Sequence, residues 1–588
     1  MSFKQHLLVG QGFDPAAGLP PGAERPKYRR AGIILAVICI IATVAPCLAQ
    51  SSLANLIQAG DHKAARARIH AGADVNEAQP DGTRPIHWAV YQVDYEVLGA
   101  LIAKKAKVNV TNEFGSTPIA EAANLGDARM VKMLLDAGAE PEGANQDGET
   151  ALMLAIKTGE TPVVEMLIKA GAKVNVVEKF HNQTPLMWAA AAPKNAGEIV
   201  KLLLSKGANV KPRALYSDWD SQITSEPRAQ YRPVGGLTAM LYAARDGCYD
   251  CVEELIAAGA DVNVPTPEGV TALMLALDNE RNDVAKLLLN HGANPHVWDW
   301  WGRTALYIVV DRRETALVPA RGGIGGGRGG RGGGVPQTAP ASSRPQVSTL
   351  DIVNLLLAAD VDPNPELNMH RPSRGGNSGR FIDPLLSTGC TPLLRAAMTG
   401  DMEVIQALLA KGASPNINDM GLTPFLVAAG VGAGSRGGTG LAAAASVGGA
   451  ANIALMDLLI QHGADVNAQV TGTKTYSMRI SRAPSSNEGM TALHIAAQSG
   501  RADVVKFLLD KGANTEIVDS NGHKPLDLVG ASSPGRGTPP PAAPATAQLA
   551  VAPPAAGAGG RGDPAGRGVS PATAAEIRAL LQNAPSRN

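Results

Sequence analysis

Residues 489–514 read GMTALHIAAQSGRADVVKFLLDKGAN, and this stretch decides the fold. It opens with Gly-x-Thr, continues through an alanine-rich segment, breaks, and then reaches an apolar run from Val504 to Leu509. Apolar residues three and four positions apart predict a helix with one buried face. Gly512 predicts the left-handed cap that ends this second helix. The stretch therefore predicts a unit of two short helices.

The same unit recurs along the chain. Most successive Thr positions are 32 to 34 residues apart, and gaps of 54, 68 and 87 residues indicate units that carry insertions. No such unit can bury its apolar face alone, so neighbouring units must stack. The Thr position falls at these residues, two of which depart from Thr: Arg84, Thr117, Thr150, Thr184, Thr238, Thr271, Thr304, Thr391, Thr423, Thr491 and Lys524.

Helix-start chemistry supports this assignment. In four units the Thr is followed directly by Pro, as in Thr117-Pro118 and Thr391-Pro392. A Thr hydroxyl caps the first amide groups of a helix, and Pro is tolerated at the first helical position because its missing N–H needs no partner there. Each Thr position therefore predicts the start of a first helix.

On these residues the chain resembles the ankyrin-repeat family, over most of residues 51–530 and about twelve units. Residues 51–76 would be an amino-terminal cap, and the His usual in this family stands only at His87 and His494. The resemblance implies an all-α solenoid of helix–turn–helix units with β-hairpin-like fingers. It also implies that another protein binds to the fingers and the concave face. With its long insertions, the chain is similar to exported bacterial members.

Composition narrows the function further. Lys and Arg total 53, as do Asp and Glu, so the net charge is zero, which argues against a nucleic-acid partner. Five cysteines are too few for a disulfide scaffold. The sequence lacks Gly-x-Ser-x-Gly, His-Glu-x-x-His and a P-loop lysine motif. We therefore expect no catalytic residues, no metal site and no cofactor.

The amino terminus predicts export. Residues 1–30 form a basic leader, and residues 31–49 are an uncharged apolar run long enough to cross a bilayer core. A cleaved signal peptide and an uncleaved anchor both remain open, as does a buried helix of a cytoplasmic protein. With a cleaved signal, the repeats lie in the periplasm or outside the cell. With an uncleaved anchor, they are held at the inner membrane and contact it only through residues 31–49.

Insertions interrupt the array in two ways. Three extend fingers between units, and two separate the first helix of a unit from its second. Their glycine-rich composition predicts disordered coil, most clearly at 321–334. Residues 531–572 form a Pro/Ala/Gly-rich segment, and residues 573–583 predict a helix that caps the end of the array. The finger insertions are 212–235, 363–388 and 471–488, and the others are 313–348 and 430–450.

Aromatic residues give the main candidate binding site. Trp298, Trp300 and Trp301 are half of the six tryptophans and lie in the finger before Gly302. Trp300, Trp301 and Arg303 fall at fingertip positions. Exposed Trp and Arg are the commonest interface hot spots. The alternative is that these tryptophans pack against a neighbouring insertion such as 363–388.

A second aromatic group lies in the first finger insertion. It comprises Tyr216, Trp219 and Tyr231, and long aromatic loops on a rigid scaffold often bind. An ordered lid that contacts no partner is the alternative.

Cys248 and Cys251 are spaced as Cys-Tyr-Asp-Cys at the start of a second helix. The Cys251 position takes Val in sister units, so its default role is in the core. In an oxidising compartment the pair can close a disulfide. The βαβ context of a thioredoxin-like redox site is missing, and no second Cys/His pair has zinc-ligand spacing.

Three functions follow from these observations. The first is an exported scaffold that binds a partner protein through its fingers and concave face. The second is a membrane-tethered envelope scaffold without a discrete hot spot. The third is an enzyme or enzyme regulator with chemistry in the insertions 212–235 or 363–388.

Overall fold

The computed structural model describes residues 52–217, 234–317, 346–367, 389–417, 421–430, 452–471, 488–530 and 569–584. The regular secondary structure of these ranges is helical, apart from two strands of two residues each. The predicted all-α repeat fold is confirmed. The helices are α1 Leu53–Gln58, α2 His62–His70, α3 Pro85–Tyr91, α4 Tyr95–Ala103, α5 Pro118–Leu125, α6 Ala128–Asp136, α7 Ala151–Thr158, α8 Thr161–Lys169, α9 Pro185–Ala190, α10 Ala196–Ser205, α11 Ala239–Asp246, α12 Tyr249–Ala257, α13 Ala272–Asp278, α14 Asn282–Asn290, α15 Ala305–Leu317, α16 Thr349–Ala358, α17 Pro392–Thr399, α18 Met402–Ala410, α19 Pro424–Ala428, α20 Ile453–Gln461, α21 Ala492–Gln498, α22 Ala502–Asp510 and α23 Pro571–Gln582.

Two compact units divide the chain, one ending at Glu113 and the other beginning at Phe114. In the first, α1 packs on α2 and α3, and α4 packs on α2 and α3. In the second, first helices pack on first helices from α5 through α19, and second helices pack on second helices from α6 through α18. Each buried face is thus covered by the next repeat, as the stacking argument requires.

Local caps explain where the helices begin. The Thr117 hydroxyl accepts a hydrogen bond from the Ala120 N–H at 3.2 Å, and the Thr391 hydroxyl accepts one from Leu394 at 3.1 Å. Several second helices begin instead at an Asp carboxylate, such as Asp127, which accepts the Met130 N–H at 2.9 Å. Gly138 ends α6 with a φ of 89°, in the left-handed region where a side chain would be strained.

An asparagine ladder joins successive repeats of the second unit. The Asn263 side chain donates to the Gly292 carbonyl at 3.0 Å and accepts from the Asn294 N–H at 2.7 Å. The Asn416 side chain makes the same pair of bonds, to the Gly463 carbonyl at 2.8 Å and from the Asp465 N–H at 2.9 Å. In both repeats the Asn stands four residues after the Gly that follows the second helix, Gly259 or Gly412, and links one repeat to the next, a role that its spacing alone did not reveal.

Element boundaries differ from the predicted ones at one insertion and at the end of the array. Helix α15 continues to Leu317, so helix occupies the start of the predicted insertion 313–348. The final helix begins at Pro571, two residues before the predicted start, and packs on α22 and on the 3-10 turn Pro525–Leu528. Its Arg578 donates to the Val529 carbonyl at 3.1 Å.

No helix within the described ranges is long and apolar enough to cross a membrane. The predicted leader 1–30 and the apolar run 31–49 lie outside those ranges, as do most of the predicted insertions and the low-complexity segment 531–572.

Candidate partner-binding surface

The finger before α15 is a tight turn that the backbone closes from both sides. Trp298 and Thr304 form an isolated antiparallel bridge, and the Asp299 N–H donates to the Arg303 carbonyl at 3.1 Å. The Trp300 N–H donates to the Glu268 carbonyl of the preceding finger at 2.8 Å. The finger is therefore fixed both within itself and against its neighbour.

Beneath the turn lies a buried charged network. The Asp299 carboxylate, whose side chain is fully buried, accepts the N–H groups of Trp301 and Arg303 at 3.0 and 2.9 Å. It also pairs with Nε of Arg303 at 2.7 Å. Arg303 extends to Asp278 at 3.1 Å, and Nε of Arg312 on α15 reaches the same carboxylate at 2.9 Å. Two repeats are thus joined directly under the finger.

Charge and burial oppose each other in this network. Burial acts to raise the pKa of Asp278, but the positive charges of Arg303 and Arg312 outweigh it and hold that pKa below its usual value. Burial raises the pKa of the more enclosed Asp299, although Arg303 opposes the shift. Burial also acts to lower the pKa of Arg303, but the two carboxylates more than offset it and raise that pKa. Arg303 therefore compensates two carboxylates at once.

This network corrects part of the predicted hot spot. Trp298 is 66% exposed and Trp300 is half-buried, but Trp301 is 3% exposed and Arg303 is 6% exposed. The Arg303 guanidinium carbon lies 5.4 Å from the centre of the Trp301 ring. The prediction that Trp301 and Arg303 are exposed at the fingertip is wrong, because Asp299 draws the arginine inward and the tryptophan packs on it. They support the finger and do not present a surface.

Other fingers of the second unit expose apolar residues that the sequence analysis missed. Val177 and Phe180 are exposed on one finger, with Phe180 at 69%, and Leu215 is exposed beside them. The Leu215 N–H donates to the His181 carbonyl at 2.6 Å, so these residues share one stretch of surface. Their positions within the repeat could have indicated this exposure, because Phe180 lies in the fingertip turn just before the Thr184 cap.

The predicted aromatic insertion is described only at its base. Tyr216 is 50% exposed and lies in strand β1 Tyr216–Ser217, which pairs antiparallel with β2 Val234–Gly235. Trp219 and Tyr231 lie outside the described residues.

The structure joins Cys248 and Cys251 by a disulfide at the start of α12. Cys251 is fully buried and Cys248 is half-buried. Across the described parts of the chain, no group of three or more His, Cys, Asp or Glu side chains could hold a metal ion. The insertions to which an enzymatic alternative assigned its chemistry lie largely outside those parts.

The family models agree with the repeats seen in the structure. The model described as ankyrin repeats (3 copies) matches residues 53–144, 121–214, 222–299, 239–318 and 425–519, and the single ankyrin repeat matches 388–420. These matches cover more than half of the chain. The chain belongs to the ankyrin-repeat family. Ankyrin repeats indicate a scaffold for protein–protein interaction, and that is the function class of this chain.

Curated relatives share the repeats but not the whole protein. The chain is 26% identical over 340 residues to the E3 ubiquitin-protein ligase KEG of Arabidopsis thaliana, covering 56% of this chain and 16% of the relative. It is 30% identical over 188 residues to the human mitochondrial disaggregase, covering 32% of this chain and 24% of the relative. It is 29% identical over 155 residues to the mouse B-cell lymphoma 3 protein homolog, covering 23% of this chain and 34% of the relative. The chain thus spans between 16% and 34% of the length of these relatives.

One solved structure is similar in sequence at 24% identity. It is the human ASB11 ankyrin repeat domain, with a TM-score of 0.33, and the match covers 42% of this chain and all of that one.

Proposed function

We propose that this ankyrin-repeat chain binds a partner protein through its fingers, with Trp298 as the central anchor. The observation that carries the proposal is a 66% exposed tryptophan on a finger that is held from beneath by the Asp299–Arg303 pair. Burying a large exposed indole in a partner pocket is a common source of binding energy. Because the finger is already ordered, little conformational entropy is lost when the indole is covered.

The partner should itself present an apolar surface. Trp298 is accompanied on other fingers of the second unit by Val177, Phe180, Leu215 and Tyr216, which we call together the finger surface. All five are apolar or aromatic side chains exposed by a third or more, whereas most large apolar side chains of the described repeats are in the core. Exposed apolar groups of this kind commonly mark interaction sites. The zero net charge gives no general attraction to a polyanion.

Photo-cross-linking tests the anchor directly. A photoreactive phenylalanine analogue placed at position 298 should capture a discrete partner from cell-envelope material, and added unlabelled protein should compete for it. The matched control is the same analogue at position 518, because Val518 is exposed at the equivalent place of another finger. Equal capture from both positions, or none from position 298, would count against the anchor.

Substituting Trp300 and Trp301 together would not test binding alone. Trp301 is buried, so its truncation also removes packing beneath the finger. Trp298→Ala removes only an exposed side chain, and its effect on binding can be separated from folding by circular dichroism.

We also propose that the repeats act outside the cytoplasm. Support comes from the apolar run 31–49 behind a basic leader and from a disulfide, a bond that persists in oxidising compartments. Fractionation of the producing cells, with mass spectrometry of the mature amino terminus, tests this. Soluble periplasmic protein beginning near residue 50 favours a cleaved signal, and detergent-dependent extraction of the full-length chain favours a tethered scaffold. Full-length protein in the cytoplasmic fraction would refute export.

A further inference from the structure

A cysteine side chain caps the second helix, α12, of its repeat. Asp127 and Asp401 occupy this cap in two other repeats, and each carboxylate accepts the N–H three residues on, at 2.9 and 3.3 Å. In the α12 repeat the cap is Cys248, whose sulfur accepts the Cys251 N–H at 3.2 Å. A sulfur therefore takes the place that a carboxylate holds in these two repeats, at the positive end of a helix.

The two sulfurs of the disulfide are unequally accessible. Cys251 is fully buried at the position that Val404 takes in the Asp401 repeat. Cys248 is half-buried and lies in the turn between α11 and α12. An external thiolate can approach the bond only from the Cys248 side.

A cation flanks this turn. The Arg281 side chain crosses Gly247 so closely that a methyl group there would lie 2.5 Å from its Cδ and 2.7 Å from its Nε. The Nε of Arg281 is buried, and it has no hydrogen-bond acceptor in the described chain. Two carboxylates are also near. Asp246 is paired with Arg245 at 2.8 Å, and Asp250 packs against Gly197 of α10. Arg281 thus brings a positive charge against Gly247, the residue that precedes Cys248.

We propose that Cys248 and Cys251 form a thiol–disulfide exchange site that oxidises an external dithiol. The sequence argued against a redox role because the βαβ context was missing, but exchange requires only an accessible sulfur, a stabilised thiolate and a second sulfur behind it. The structure supplies the accessible sulfur and the buried second one, at a cap where the thiolate would be stabilised. This inference does not depend on the proposed finger surface.

The reaction balances within the pair and the dithiol. A thiolate of the dithiol attacks Sγ of Cys248, the Cys248–Cys251 bond breaks, and the Cys251 sulfur leaves with the electron pair and takes up a proton. The second thiolate of the dithiol then attacks its own sulfur that is bonded to Cys248, and Cys248 leaves as a thiolate. The dithiol becomes a disulfide, and the cysteine pair gains two electrons.

The repeat is suited to the reduced state. A Cys248 thiolate would take the place that a carboxylate holds in the Asp127 and Asp401 repeats and would accept the Cys251 N–H. Arg281 would lie against the neighbouring Gly247. A charged acceptor makes a stronger bond there than a disulfide sulfur does, so the cap stabilises the reduced form and makes the disulfide more oxidising. The bond closes so short a loop that it restricts little of the unfolded chain, and its loss should cost the fold little.

The test uses the full-length protein, alkylation and peptide mass mapping. In the reduced protein, Cys248 should react with iodoacetamide with a midpoint below pH ~7.5, compared with about 8.5 for an ordinary thiol. Dithiothreitol should reduce the folded protein at least about ten-fold faster than it reduces a peptide of residues 247–252. Arg281→Gln should move the alkylation midpoint upward, and its thermal midpoint should stay that of the wild type.

The double variant Cys248→Asp with Cys251→Val introduces the residues that the Asp401 repeat has at these positions, Asp401 and Val404. It should retain the thermal midpoint of the oxidised wild type, and it should oxidise no dithiol. Two results would overturn the proposal. One is a Cys248 midpoint at or above that of the ordinary thiol. The other is a large fall in the thermal midpoint on reduction that the double variant does not show, which would identify the disulfide as a structural staple.

Discussion

Replacing Arg303 with Met tests whether the buried network fixes the finger. The Arg303–Asp299 pair joins atoms 2.7 Å apart, with side chains 8% and 0% exposed, and a second pair reaches Asp278 at 3.1 Å. Removing one partner of a buried pair typically costs ~3–5 kcal/mol, because a charge is left uncompensated. Asp299 keeps two backbone N–H donors in the variant, from residues 301 and 303. We therefore expect the lower end, about 3 kcal/mol in the free energy of unfolding of these repeats.

The sign of the pH dependence follows from the Asp299 pKa. Burial already raises that pKa above the unfolded value, and Arg303 opposes the shift. Without Arg303 the folded pKa rises further, so the variant takes up a proton on folding. The loss of unfolding free energy relative to the wild type is then complete above the raised pKa of Asp299. It becomes smaller as the pH falls toward about 3.9, the pKa of Asp in the unfolded chain.

Urea unfolding followed by tryptophan fluorescence measures this deficit, because half of the tryptophans lie in this finger. Wild type and variant are compared at several pH values, so that acid effects common to both cancel. Adding Asp299→Asn to Arg303→Met should recover part of the loss at neutral pH. A deficit under about 1 kcal/mol, or one that does not change between pH 7 and 5, would refute the view that Arg303 compensates a buried carboxylate.

Three further substitutions test the repeat itself. Burial lowers the pKa of His494, so the free energy of unfolding should fall as the pH drops below about 6.5. His494→Met introduces the residue that several sister repeats have at this position and should reduce that fall by up to about 1.4 kcal/mol per pH unit. An unchanged slope would show that His494 does not take up a proton on unfolding. Thr391→Ala should cost about 1 kcal/mol in urea unfolding, because the Leu394 N–H loses its cap, and Thr391→Ser should retain most of that stability. Gly489→Ala should destabilise α21 by at least about 1 kcal/mol, since its φ is 80° and the new methyl would lie 2.6 Å from the Ser520 N; hydrogen exchange of residues 488–500 that matches the wild type would contradict this.

Local signals predicted the repeats well. Thr391-Pro392 starts a helix through contacts within four residues, and Gly138 ends one through its own backbone, so sequence alone places both. The final helix was placed within two residues because its apolar spacing is local as well.

Non-local contacts explain the errors. Trp301 and Arg303 fall at a fingertip in the repeat register, but Arg303 is drawn inward by Asp299 and by Asp278, which lies 25 residues earlier on α13. The asparagine ladder likewise depends on a carbonyl one repeat away, as in the bond from Asn263 to Gly292. Periodicity identifies such positions, but only the stacked structure shows which side chain meets which.

The affinity of the Trp298→Ala variant for the captured partner tests the central claim most directly. Measured by equilibrium titration, its Kd should rise at least about 30-fold, the equivalent of about 2 kcal/mol, with an unchanged circular dichroism spectrum, while Val518→Ala binds as the wild type does. A Trp298→Ala variant that binds within about two-fold of the wild type would contradict the account.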